Sequence, residues 1–376
     1  MSKASEDHVA SDDPLLNEPQ NTDYLPPTLK PGDSAVMTFS WIPDSGQHNS
    51  DFELRLLRDC GGMYGIPEHF SSVRHHEKGC PTTNHLFLPS PSENLDDFRW
   101  NLFDEPTEKP DYRSLWRRMD AFPGHSLVSA KDLLSLIRAV LDAHLGYYNM
   151  CQKNYQHRNL SIENVLMVDE AIQSKPFDIP DPKDEVQEEI LHVCKELNID
   201  DYCTGFVVVD GVMAVDWNTY FSDERGDTES GTPEFISTAP LTPGLERHMH
   251  SPLDDYYSFF FVTQSACVFH DLSPEDSPEH PDFLENLRDR IAGDVKMIAA
   301  ATCTITRRVS MEVAHYGAFL VQAQSFLREW YHSLQKLQTE WNEMVASQGC
   351  NIDSFRSIAD RGLLSFLKVA SKHISR

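Results

Sequence analysis

The chain has 376 residues and a mass of 42.9 kDa, room for one large domain or two lobes around a substantial core. With 32 Lys and Arg against 59 Asp and Glu, the formal net charge is −27, which repels phosphate backbones and anionic lipid and argues against a nucleic-acid binder or a peripheral membrane protein. A hydrophobic content of 40% excludes wholesale disorder. Eight cysteines include no C-x-x-C pair and read as reduced, mostly buried thiols. The first twenty residues hold no apolar stretch of the signal-peptide kind, and no 18-residue apolar run follows. The expectation is an intracellular protein, cytoplasmic or nuclear.

Residues 1–33 are polar, acidic and interrupted by Pro26-Pro27 and Pro31-Gly32, the composition of a disordered leader. Residues 36–41 (VMTFSW) have strand character, and 51–60 (DFELRLLRDC) predict a short helix ended by Gly61-Gly62. From 75 to 110 the pattern is loop-rich. Ser129-Ala130-Lys131-Asp132 predicts a helix start, with the Ser129 hydroxyl as a cap. Leu133, Leu134, Ile137, Val140, Leu141 and Leu145 then recur at helical spacing up to Gln152. The helix feeds into 157–164 (HRNLSIEN) and the apolar run 165–168 (VLMV).

An acidic insert covers 169–205, with a solvated helix expected at 184–197. Two β-rich runs, 206–209 and 212–217, flank Asp210-Gly211, which predicts a tight hairpin. A loop over 222–251 precedes a helix that begins at Pro252 and runs through Tyr256, Phe260 and Val268. Helices are expected at 281–291, 294–303, 311–346 and 352–374. The aromatic set Tyr256, Tyr257, Phe259, Phe260 and Phe261 reads as a buried central helix, and Phe319, Phe326, Trp330, Leu334, Leu337 and Trp341 as a packing stripe. His75-His76, His248 and His250 read as surface or loop histidines rather than as a metal site. The sum is an α+β chain of two lobes: leader 1–33, a reduced first lobe 34–113, and a second lobe 114–376 holding the insert and the C-terminal helices.

Chemistry concentrates at two places. Asn164 lies five residues after Asn159, between a helix and a strand, and Asp216 lies at the end of the second β-rich run. An amide oxygen and a carboxylate at neighbouring strand ends are hard ligands of the kind Mg²⁺ on a nucleoside triphosphate takes. Phosphoryl transfer uses such an ion to neutralise charge that spreads over the phosphoryl oxygens.

Residues 157–167 (HRNLSIENVLM) resemble the protein kinase catalytic loop HRDxxxxN, and their wording is most similar to that of the fungal-type protein kinase domain. GVMAVDWN (211–218) resembles that family's metal-binding segment, GTPEFIST (231–238) the end of its activation segment, and SPLDDYYSFFFV (251–262) its following helix. VMTFSW and DFELRLL are similar to the strand and helix of the first lobe, so the likeness spans 34–270. The resemblance implies a two-lobed fold with a reduced β-containing first lobe, ATP and Mg²⁺ as cofactors, and phosphoryl transfer to a protein Ser or Thr. By position it implies metal ligands at Asn164 and Asp216, a helix glutamate at Glu53, and His157 and Arg158 in the catalytic loop, Arg158 bracing the activation segment. Asp255 or Asp254 would hold the loop backbone from below.

The departures change the expectation. Asn159 stands where the family has its catalytic Asp, and losing a general base costs about 10²–10⁴-fold in rate. Thr38 stands at the strand lysine that grips phosphates, no G-x-G-x-x-G occurs, and Ala239 replaces the activation-segment glutamate. Glu163, beside Asn164, reads as a solvated turn residue rather than a substitute base. The expected function is a pseudokinase with weak or no phosphotransfer, weak or absent ATP and Mg²⁺ binding, and a role as a binding or regulatory module for a protein partner. The alternatives are an active Ser/Thr kinase with a nonstandard base and, third, a small-molecule phosphotransferase of the aminoglycoside- or choline-kinase kind.

Overall fold

Strand β1 (Ala35–Pro43) covers the expected strand and pairs antiparallel with β5 (Arg113–Ala121), whose other edge takes β2 (His69–Arg74). The computed structural model describes residues 35–43, 50–77, 80–82, 113–121, 124–209, 213–221, 235, 249–270 and 318–374. The expected leader 1–33 and the helices expected at 281–291 and 294–303 lie outside the described residues, as does most of 222–248. The register sets Thr38 opposite Arg118. β5 finds both its partners in the first sheet and carries that sheet to Ala121, past the position 113 at which the first lobe was expected to end.

Helix α1 (Ser50–Cys60) turns Leu56, Leu57 and Cys60 into the core and ends where the Gly61 amide donates to the Leu57 carbonyl (2.8 Å). Gly62 follows at φ +70°, the left-handed conformation that closes many helices. Within the stretch read as loop, β3 (His76–Glu77) and β4 (Cys80–Pro81) make a minimal antiparallel pair.

After β6 (His125–Ser126) comes a 3-10 turn, Leu127–Ser129, and then α2 (Leu133–Gln152). The cap of α2 is Asp132 rather than Ser129. The Asp132 carboxylate accepts the Ser135 amide (2.7 Å), and Ser135 Oγ accepts the Asp132 amide in return (3.0 Å). The Ser129 hydroxyl is occupied by the Ser126 carbonyl (2.8 Å) and His125 (2.6 Å).

Every residue of 136–151 except Arg138 is buried, so α2 forms the axis of the second lobe. Two close approaches fix what lies against it. A side chain at Gly205 would run into the Ala139 carbonyl, and Gly65 at φ +69° crosses Gly146 backbone to backbone. Buried Asp142 ties these neighbours together, accepting from Tyr64 Oη (2.7 Å), the Thr204 amide (2.6 Å) and Thr204 Oγ1 (2.9 Å). Burial still pushes its carboxyl up to about 6.

Beyond α2, β7 (Tyr155–Gln156) enters the 157–164 loop, and β8 (Val165–Gln173) leaves it. Helix α3 (Glu185–Glu196) separates β8 from β9 (Tyr202–Val207), which pair to complete a β6-β8-β9 sheet. The insert is therefore not a solvated helix on a loop. Ile190, Val193 and Cys194 of α3 are buried, and its Glu189 pairs with Lys368 at 2.7 Å.

The turn expected at Asp210-Gly211 lies outside the described residues, and the described parts of the two runs that flank it take other partners. β9 pairs with β8, while β10 (Val215–Asp216) pairs with β7. Backbone partners on the two flanks of the 157–164 loop pull the runs apart: the Val208 amide donates to Asn164 and the Trp217 amide to Asn154, both at 2.8 Å.

Helices α4 (Trp217–Tyr220), α5 (Pro252–Val268), α6 (Ala318–Gln348) and α7 (Ile352–Ile374) complete the described chain. Phe259 and Phe260 of α5 are fully buried, and all six residues of the expected stripe on α6 face the core. Among the described residues no helix is long and apolar enough to cross a membrane.

At the centre of this packing sits His144. Its ring stacks between Phe259 and Phe366, at centroid distances of 4.0 and 3.8 Å, and Nδ1 donates to the Val140 carbonyl (2.7 Å). Burial lowers its pKa from about 6.5 to about 3. The folded ring thus stays neutral while an unfolded chain takes up a proton below about pH 6.5, so the residue costs about 1.4 kcal/mol per pH unit down to about pH 3. His144→Phe removes that penalty. Relative to wild type, its unfolding free energy in urea titrations should rise by about 2 kcal/mol between about pH 7.5 and about pH 5. A difference that stays constant over that interval would refute this account of His144.

Candidate active site

The site grows from the end of α2. Lys153 closes the helix, and Asn154 at φ +63° turns the chain into β7. His157 then enters the core, where Nε2 donates to the Val208 carbonyl (2.8 Å) and Nδ1 accepts the Asn159 amide (3.2 Å). Those two bonds fix both the tautomer and the plane of the ring.

Arg158 adopts φ +64°, an unfavourable conformation for a side chain with a Cβ. A buried carboxylate holds it there, because the Arg158 amide donates to both oxygens of Asp255 at 3.1 and 3.3 Å. Asp255 is wholly buried on α5, and His250 approaches its Oδ1 at 3.3 Å. Of the two neighbouring aspartates, Asp255 thus holds the loop, whereas Asp254 closes the start of α5 by accepting the Ser251 amide (2.7 Å) and hydroxyl (2.9 Å). His250, read from sequence as a surface or loop histidine, is buried beside this peg. The Arg158 guanidinium lies 5.4 Å from the ring centroid of Tyr220. The activation-like segment 231–238 and Ala239 lie outside the described residues apart from Phe235.

Asn164 closes the loop on itself: Nδ2 donates to the Asn159 carbonyl (2.7 Å), and among the described residues the amide oxygen accepts no hydrogen bond. Glu163 is exposed. Across the β7-β10 pair, Asp216 stands opposite Tyr155. Asp216 Oδ1 accepts the Asn218 amide (2.9 Å) and Nδ2 (2.8 Å), which starts the short helix α4. Its Oδ2 lies 3.7 Å from the guanidinium of Arg55 on α1. Tyr155 Oη donates to Asp59 (2.8 Å) and fastens the same helix to β7. Thr38 lies on β1 and Glu53 on α1.

Two groups were not legible in the sequence. Arg55 emerges only because α1 docks on the β7-β10 pair. The second is a buried chain of charge in the first sheet: His69 Nδ1 meets Asp120 (2.9 Å), Arg118 Nε donates to Asp120 (2.6 Å), and Arg118 Nη1 donates to the Val209 carbonyl (2.8 Å). Only the alternation of β5, which puts residues 118 and 120 on one face, could have signalled it. Among the described residues no group of three His, Cys, Asp or Glu side chains is arranged to hold a metal ion. Asn164 and Asp216 nevertheless suit a divalent cation by type, each having a hard oxygen not used by its capping bonds, and the Arg55 guanidinium is a second cation facing that Asp216 oxygen.

A family model described as fungal protein kinase matches residues 72–267, just over half of the chain. Among solved structures, the kinase PK-1 of Cydia pomonella granulovirus is similar at 12% identity over 79% of this chain and 78% of that one, with a TM-score of 0.39. No curated protein matches the chain.

Asp255→Ala leaves the Arg158 amide without its acceptor and should lower stability by about 1–3 kcal/mol, read from the urea midpoint and slope. Asp255→Asn retains one acceptor and should lose less. A loss below about 1 kcal/mol in the alanine variant would mean that the carboxylate does not hold the loop.

Proposed function

The chain belongs to the fungal protein kinase family, and on that premise we propose that it is a pseudokinase: a two-lobed binding or regulatory module for a protein partner, with weak or no phosphoryl transfer. Position 159 carries this reading. The loop around it keeps its internal bonds, His157 to Val208 and Asn164 to the Asn159 carbonyl, so the backbone posture of a working loop is supported. The side chain presented there is an amide, which cannot take a hydroxyl proton at neutral pH. Thr38 at the strand position supplies no cation for phosphates. ATP with Mg²⁺, when bound to a kinase site, supplies the phosphoryl group and the charge neutralisation that its transfer requires. The chain's own contribution would be to orient that pair with Asn164 and Asp216.

Radiolabelled ATP should leave wild-type protein and generic protein substrates unlabelled, or labelled at least about 10²-fold more slowly than with the double variant Asn159→Asp, Thr38→Lys. Wild-type labelling as fast as that of the double variant, and abolished by Asp216→Ala, would overturn the pseudokinase reading. A second measurement addresses Arg55, which faces the same Asp216 oxygen that a cation would use. Arg55→Ala should give a larger Mg²⁺-dependent rise in Tm with saturating ATP than wild type does. Equal rises in the two proteins would show that Arg55 does not compete for the carboxylate.

A further inference from the structure

A cavity of about 390 Å³ opens between the end of α2, the segment leading into α3, and α7; neither the loop 157–164 nor Asp216 lines it. Its volume is in the range that holds small ligands, roughly 300–1,000 Å³. Tyr64, Tyr148 and Ile179, all buried, form its apolar wall. The carboxylate on its inner side, Asp360, is already engaged by Tyr148 Oη (2.5 Å) and Gln187 Nε2 (3.3 Å), so the interior makes no demand for a cation.

The mouth has a different character. Lys153, Lys175 and Lys183 line it with exposed side chains, and none of the three makes an ion pair among the described residues. Arg356 stands beside them, held by Asn154 Oδ1 at 2.8 and 3.1 Å and paired with Asp353 at 3.6 Å, so the unpaired positive charge rests on the three lysines. Against these four cations the cavity sets three carboxylates, Asp178 and Asp181 at the mouth and the engaged Asp360 inside, which leaves an excess of one positive charge. In a chain of net charge −27, a local excess of positive charge over an apolar hollow focuses an attractive field for anions.

We infer that this cavity binds a small phosphate monoester, its aromatic or aliphatic body against Tyr64, Tyr148 and Ile179 and its dianionic head among Lys153, Lys175, Lys183 and Arg356. A dianion matches several convergent ammonium donors better than a single negative charge does. The apolar body displaces water from the tyrosine and isoleucine wall.

Phenyl phosphate is the probe, titrated calorimetrically into the full chain. Saturable binding with a Kd below about 1 mM is expected. The triple variant Lys153→Gln, Lys175→Gln, Lys183→Gln changes only exposed side chains and should bind at least about tenfold more weakly at unchanged Tm. Asp216→Ala should bind as wild type does, since that residue lies outside the cavity. Absence of saturable binding to wild type would overturn the inference, as would undiminished binding in the triple variant. Phenol binding as tightly as phenyl phosphate would remove the role of the anionic head. Loss of binding in Asp216→Ala would move the ligand to the candidate active site and equally overturn the proposal.

Discussion

One buried carboxylate underlies the arrangement of the candidate site. Asp255 is wholly inaccessible and spends both oxygens on the amide of Arg158, with the His250 ring at its side. That grip offsets the unfavourable backbone of Arg158 at φ +64°, and the reversal lets the chain pass from β7 into the loop with His157 pointing inward. From there the remaining bonds are local: Asn159 to His157, Asn164 back to Asn159. In both of these bonds residue 159 takes part through its backbone amide and carbonyl, so a side-chain change there leaves them in place. The backbone shape of the loop is therefore independent of the side chain at 159.

The flanks of the loop decide what surrounds it. Val208 and Trp217 donate their amides to Asn164 and Asn154, on opposite sides, so the two β-rich runs that follow separate instead of pairing with each other. This separation carries Asp216 to the β7-β10 pair and leaves its second oxygen facing Arg55. The first lobe thus meets the floor of the site through charged contacts, Arg55 with Asp216 and Arg118 with the Val209 carbonyl. The buried Arg118 needs a partner for its charge, and Asp120 and His69 complete the chain behind it.

In the second lobe the polar groups that are buried do structural work. Asp142 binds Tyr64 and Thr204 to α2, and Asp360 binds Tyr148 of α2 and Gln187 of the insert to α7. The insert therefore belongs to the body of the lobe. Its docking is what forms the walls of the cavity beside α7, whose mouth gathers cations in an otherwise strongly acidic chain.

Periodicity in the sequence was enough to locate α1, α2, α3, α5, α6 and α7, since each carries an apolar face at helical spacing and a recognisable start or stop. The motif segments were legible for the same kind of reason: HRNLSIEN and VDWN are short, contiguous and chemically distinctive. Pairing was not. Asp210-Gly211 looks like a turn, but which strand a β-run joins depends on backbone partners distant in the chain, and these came from Asn154 and Asn164. The cap of α2 moved from Ser129 to Asp132 because a carboxylate with a reciprocating Ser135 outcompetes a hydroxyl already bonded to its own turn. The choice between Asp254 and Asp255, the approach of Arg55 to Asp216, and the burial of His69, Arg118 and Asp120 likewise waited for the fold. The sequence alone determined the local elements and the residue types at the site, because those follow from neighbours along the chain. Only the tertiary structure decided which charges meet, because desolvation and distance are properties of segments brought together from far apart.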